Sequence, residues 1–134
     1  MPAATPTVPR PLVVVVDDAH ALRLVMSRAL TDAGCDVLTV PDGYSATVLI
    51  QGLRTPPDLI ISDLRMPAMG GEELGAWLTA HYPQLPVIFV SAFGADEPDS
   101  LPGPLLKKPF TMDELCAVVG VRLTRGRQPS AAMR

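Results

Sequence analysis

Short apolar runs alternate with amphipathic stretches along this chain. Leu12-Val13-Val14-Val15-Val16 is continuous and β-branched, the pattern of a strand buried on both faces. Leu22, Val25, Met26, Ala29 and Leu30 then recur at helical spacing. Val37-Leu38-Thr39-Val40 predicts a second strand, and Ala46, Leu49, Ile50 and Leu53 a second helix. Pro56-Pro57 resets the chain before the apolar Leu59-Ile60-Ile61 run. Leu74, Trp77 and Leu78 mark a third helix, and Val87-Ile88-Phe89-Val90 a fourth strand ending at Ser91. Leu105-Leu106-Lys107 predicts a short fifth strand. Thr111 and Glu114 then form a T-x-x-E capping box before a last helix with Leu115, Val118 and Val119 on its core face.

Strands alternating with helices predict a doubly wound α/β fold, flavodoxin-like, with five parallel strands in the order 2-1-3-4-5. One helix is missing from the alternation. Between Ser91 and Leu105 the stretch 94–104 carries three prolines and two glycines, so the fourth helix is expected to be shortened or replaced by a loop. Residues 1–10 read as a flexible N-terminal segment, 11–122 as one folded domain, and 123–134 as a flexible basic tail too short for a DNA-binding module.

Composition narrows the function classes. A net charge of −3 gives no nucleic-acid footprint, and no apolar run is long enough to span a bilayer. The start of the chain lacks the features of a signal peptide, so no membrane, no nucleic acid and a cytoplasmic location are expected. Cys35 and Cys116 match no metal or redox spacing and read as free thiols.

Chemistry gathers where strands end. Asp17-Asp18 follows the first strand, Asp63 the third, Ser91 the fourth and Lys107-Lys108 the fifth. In such sheets ligands bind outside the carboxyl ends of the strands. Adjacent carboxylates repel, and oxygen-only ligands with an incomplete shell suit Mg2+; the plain alternative is one Asp as a helix cap and the other solvated. Asp63 can be a metal ligand, a nucleophile or a turn residue. The Ser91 hydroxyl can cap backbone or donate to a phosphate oxygen, and the lysine nearest Pro109 is the better aimed of the two. His20 and His81 have no partner pattern, and Trp77 reads as core or groove. A D-x-D phosphatase pair and a Gly-rich phosphate loop are both absent.

Val-Val-Asp17-Asp18, Ile-Ile-Ser-Asp63-Leu-Arg-Met-Pro67 with Gly70-Gly71, Val90-Ser91-Ala92 and Lys107-Lys108-Pro109-Phe110, in this order, resemble a response-regulator receiver domain of two-component signalling over residues 11–122. The resemblance implies a phosphoacceptor module rather than a turnover enzyme. Asp63 would receive a phosphoryl group from a histidine kinase or phosphotransfer protein. It implies Mg2+ bound by Asp18, Asp63 and the backbone carbonyl of Arg65, with Asp17 acting mainly through water. Ser91 would take the family's hydroxyl role and Lys108 would contact phosphate, across a cis bond to Pro109. Two departures stand out: the missing fourth helix, and Leu105 where the family carries a Tyr or Phe that swings inward. The expected readout is therefore ordering of the Phe93–Pro104 segment and binding of a downstream protein partner. The competing expectation is a phosphorylation-independent, receiver-like interaction domain.

Overall fold

The structure is a computed structural model that describes residues 9–92, 98 and 100–127, with backbone alone for 125–127. Its elements follow the expected alternation: β1 (Leu12–Val16), α1 (His20–Asp32), β2 (Asp36–Val40), α2 (Gly43–Gly52), β3 (Leu59–Asp63), α3 (Gly71–His81), β4 (Val87–Ser91), β5 (Leu105–Lys107) and α4 (Met112–Arg127). The five strands form one parallel sheet in the order β2-β1-β3-β4-β5.

Alternate residues of the central strands feed two cores, because side chains point to opposite faces with a period of two. Val13, Val15, Leu59, Ile61, Ile88 and Val90 pack with Met26 and Leu30 of α1 and with Leu115 and Val119 of α4. Val14, Val16, Ile60, Val87 and Phe89 pack with Ala46 and Ile50 of α2 and with Leu74 and Leu78 of α3. With both faces covered, β1, β3 and β4 need no polar alternation, which is why they read as continuous apolar runs.

The capping box forms as expected. Thr111 N–H donates to Glu114 Oε1 at 2.7 Å, and Glu114 N–H to Thr111 Oγ1 at 3.0 Å. No helix lies between β4 and β5 among the described residues; Pro98 and Ser100–Pro104 are non-helical, while 93–97 and 99 fall outside the description. Leu101 packs instead against the Phe89 side of the sheet. Gly103 lies so close to β4 that a Cβ there would collide with the Val87 carbonyl, so this part of the connection rests directly on the strand.

Three local expectations need correction. Val25 is half-exposed, at 50%, and stands outside the core that Met26 and Leu30 of the same helix join. Helix α4 runs past residue 122 to Arg127, since Leu123 extends the i, i+4, i+8 series begun by Leu115 and Val119 and is itself buried. Arg10 is tied down, its Nε 3.1 Å from Asp36 Oδ1 and its Nη2 donating to the carbonyls of Thr31 and Cys35. Both cysteines are free thiols, and burial pushes both pKa values up, so they stay protonated.

Candidate functional site at the carboxyl ends of the strands

Register sets the site. Val16 lies beside Ser62 and Asp63 beside Val90, while Ser91 pairs with Lys107, so the ends of β1, β3, β4 and β5 come level. Residues that follow or end these strands share one edge. Asp17, Asp18 and Asp63 each offer a carboxylate oxygen within 4.8 Å of the others. Asp17 and Asp63 are buried, and Asp18 is exposed.

Each side chain has a local reason for its direction. Asp17 Oδ1 accepts from Ala19 N–H at 2.8 Å, a turn that leaves Oδ2 directed elsewhere. Asp63 Oδ1 accepts from Arg65 N–H at 3.2 Å. The start of α3 lies hard against this turn: a Cβ at Gly71 would collide with the Asp63 carbonyl and lie 2.9 Å from Leu64 Cα. A cleft of about 480 Å3 opens beside the cluster, lined by Asp18, Arg65, Met66, Pro67 and Glu72 among others.

Lys108 reaches in from the end of β5, across a cis bond to Pro109. Its Nζ lies 3.8 Å from Asp63 Oδ2 and 4.0 Å from Asp17 Oδ2. Lys107, next to it, is exposed. Burial and the neighbouring Asp17 charge raise the Asp63 pKa above its ordinary value; the Arg65 N–H and Lys108 oppose this without cancelling it.

Among the described residues, two buried oxygens have no hydrogen-bond partner: Asp17 Oδ2 and the Ser91 hydroxyl. Unsatisfied buried polar atoms are costly and call for a reason. Here one is an acceptor beside two further carboxylates, and the other is a hydroxyl at the end of the strand next to Asp63. An all-oxygen donor set with vacant positions suits Mg2+, which keeps several waters and takes few protein ligands. The residues present therefore fit a magnesium ion.

Of the residues singled out from sequence, Asp17, Asp18 and Asp63 come together with Lys108, and Ser91 ends the strand beside Asp63. Arg65 supplies a backbone N–H to this turn. Leu105 packs on the Phe89 side of the sheet and carries no ring to swing. His20 is exposed, and Trp77 stacks on His81 with centroids 4.7 Å apart, at the far end of α3. Sequence reasoning missed Arg23, which donates to the Asp17 carbonyl. A cation in the first turns of a helix opposes the helix dipole, and that mismatch was the available signal.

A buried aspartate flanked by two acids, a hydroxyl and a lysine, at the carboxyl edge of a flavodoxin-like sheet, defines an α/β protein with an acidic ligand pocket. The description "response regulator receiver domain" matches residues 13–102. The DNA-binding transcriptional regulator NtrC of Escherichia coli K12 is 38% identical over 120 residues, covering 82% of this chain and 24% of that protein. The transcriptional regulatory protein TcrA of Mycobacterium tuberculosis H37Rv is 34% identical over 122 residues, covering 87% of this chain and 47% of that protein. Among solved structures, the receiver domain of a putative LuxO repressor protein from Vibrio parahaemolyticus superposes with TM-score 0.77 at 27% identity, covering 90% of this chain and 95% of that one. The Francisella response regulator 1452 receiver domain gives 0.74 at 29% identity, covering 87% and 98%. This chain belongs to the response-regulator receiver domain family, a family of signalling modules.

The chain spans about a quarter of the NtrC protein it matches, 24% of its length. Because that relative is named as DNA-binding, the expectation of no nucleic-acid partner has no support from the comparisons. Among the described residues, no helix is long and apolar enough to cross a membrane.

Proposed function

We propose that this receiver domain takes a phosphoryl group onto Asp63 from the phosphohistidine of a histidine kinase or phosphotransfer protein. An Asp63 carboxylate oxygen attacks phosphorus, a P–O bond forms, and the P–N bond breaks. The electron pair leaves with the imidazole, which takes up a proton. The nucleophile is the Asp63 carboxylate, which reacts as an anion and needs no general base.

The observation that carries this reading is the placement of Lys108 Nζ, 3.8 Å from the buried Asp63 Oδ2 and 4.0 Å from Asp17 Oδ2, which accepts no hydrogen bond. Asp18, Asp63 and the Arg65 carbonyl would hold Mg2+, with Asp17 acting through water. The ion would supply charge compensation for the phosphoryl oxygens. Lys108 serves as a point charge for the same oxygens, and Ser91 donates its otherwise unpaired hydroxyl to one of them. The module turns over no external substrate. It signals by protein–protein contact through the altered connection between β4 and β5.

The test is chemical trapping. After incubation with acetyl phosphate and Mg2+, borohydride reduction should convert Asp63 to homoserine in the peptide that contains it. Modification at another carboxylate would refute the assignment. A folded chain that binds Mg2+ yet accepts no phosphoryl group would favour the phosphorylation-independent interaction domain, a reading that the proline-rich stretch 94–104 and Leu105 also suit.

A further inference from the structure

Arg23 is a cation that contacts the backbone of the acidic cluster and that the proposed chemistry leaves unused. It sits in the opening turns of α1, where a positive charge opposes the helix dipole. Its Nη1 donates to the Asp17 backbone carbonyl at 2.6 Å, and its Nη2 donates to His20 Nδ1 at 3.2 Å. Among the described residues no carboxylate lies within ion-pair distance of it. The guanidinium is thus spent on a carbonyl and an imidazole, although three carboxylates lie close by.

Those contacts act on one turn. Asp17 N–H donates to the Val40 carbonyl of the neighbouring strand at 3.2 Å, Asp17 Oδ1 accepts from Ala19 N–H, and Arg23 N–H donates to the Ala19 carbonyl. With Arg23 Nη1 on the Asp17 carbonyl, Asp17 is held at its amide, its carbonyl and one carboxylate oxygen. The other oxygen, Oδ2, is buried with no hydrogen bond, and Lys108 Nζ lies 4.0 Å from it. Asp18 follows directly, and its amide shares a peptide unit with the carbonyl that Arg23 holds.

We infer that Arg23 is a positioning residue for the divalent cation: it pins the Asp17 carbonyl so that Asp17 Oδ2 and the Asp18 carboxylate face the pocket. This rests on the proposed Mg2+ site. It also has a sign that separates it from simple electrostatics. If Arg23 acted only as a nearby positive charge, removing it would relieve repulsion and tighten cation binding. If it acts by positioning, removing it weakens binding although a positive charge has gone.

Calorimetric titration of the full chain with Mg2+ reads the difference, comparing wild type, Arg23→Gln and Arg23→Lys, with each melting temperature taken in EDTA. Positioning predicts that Arg23→Gln weakens Mg2+ affinity at least fivefold. Arg23→Lys, which keeps one donor for the carbonyl, should recover part of the loss. The Mg2+ concentration giving half-maximal phosphoryl uptake should shift by the same factor, with uptake at saturating Mg2+ unchanged. Affinity in Arg23→Gln equal to or tighter than wild type, in a variant that melts like wild type, would overturn the inference. Should Arg23→Gln fold poorly, Arg23→Lys decides, since it keeps the charge and alters the reach: a partial loss of Mg2+ affinity in a chain that melts like wild type supports positioning, and affinity equal to or tighter than wild type overturns it. Absence of Mg2+ binding by wild type would overturn the reading of the site itself, and this inference with it.

Discussion

At the scale of the residue, Asp63 is held in a setting that works against its own charge. Burial and Asp17 raise its pKa above the ordinary value of 3.8, so the folded chain holds that proton more tightly than the unfolded chain does. The stabilising contribution of this group is fully present below its unfolded pKa and is lost as pH rises through the folded value. Where it is ionised without metal, the group therefore destabilises the fold. Asp63→Asn should raise the melting temperature in EDTA by a few degrees at pH 7, and the gain should shrink as pH falls through the carboxylate range. Mg2+ should reverse the order by stabilising wild type more than the variant. A variant that melts below wild type in EDTA would contradict this electrostatic account.

At the scale of the element, the strands and helices were largely legible because their signals are local. Continuous Val and Ile runs announce strands covered on both faces, and Thr111 with Glu114 announces a helix start through two reciprocal hydrogen bonds. Three prolines and two glycines in 94–104 argue against a full helix, and the described residues Pro98 and Ser100–Pro104 are non-helical. The site acids were legible for a related reason: each stands at or just after the end of an apolar run. Features that depend on tertiary reach were not legible. The Arg23 side chain meets a carbonyl six positions back, and Leu123 keeps α4 going beyond a boundary drawn from composition.

The same scale yields a prediction about Gly71. It opens α3, and a side chain there would strike the Asp63 carbonyl. Gly71→Ala should force the start of α3 away from the end of β3, costing about 1–3 kcal/mol by urea unfolding. It should also slow phosphoryl uptake, because the Asp63–Arg65 turn moves with it. Unchanged stability together with unchanged uptake would show that this close approach has no role in holding the turn.

At the scale of the whole molecule, the three carboxylates are carried by β1 and β3, while Ser91 and Lys108 flank the connection from β4 to β5, whose described residues Leu101 and Gly103 lie against Val87 and Phe89. Leu105 offers no aromatic ring to move in concert with Ser91. If the proposed signal travels through this connection, hydrogen exchange in peptides spanning Ser100–Pro104 should slow on phosphorylation, while exchange in α4 stays constant. Unchanged exchange across that connection would rule it out as the reporting element. The expected Phe93–Pro104 ordering extends over residues 93–97 and 99, which lie outside the described residues.

The central claim is that Asp63 is a magnesium-dependent phosphoryl acceptor. Intact-mass spectrometry after incubation with acetyl phosphate tests it most directly, with three samples run together: wild type with Mg2+, wild type with EDTA, and Asp63→Asn with Mg2+. The account predicts one phosphoryl adduct in the first sample and none in the other two. An adduct that persists in Asp63→Asn or in EDTA, or no adduct in a folded wild type that binds Mg2+, would contradict it.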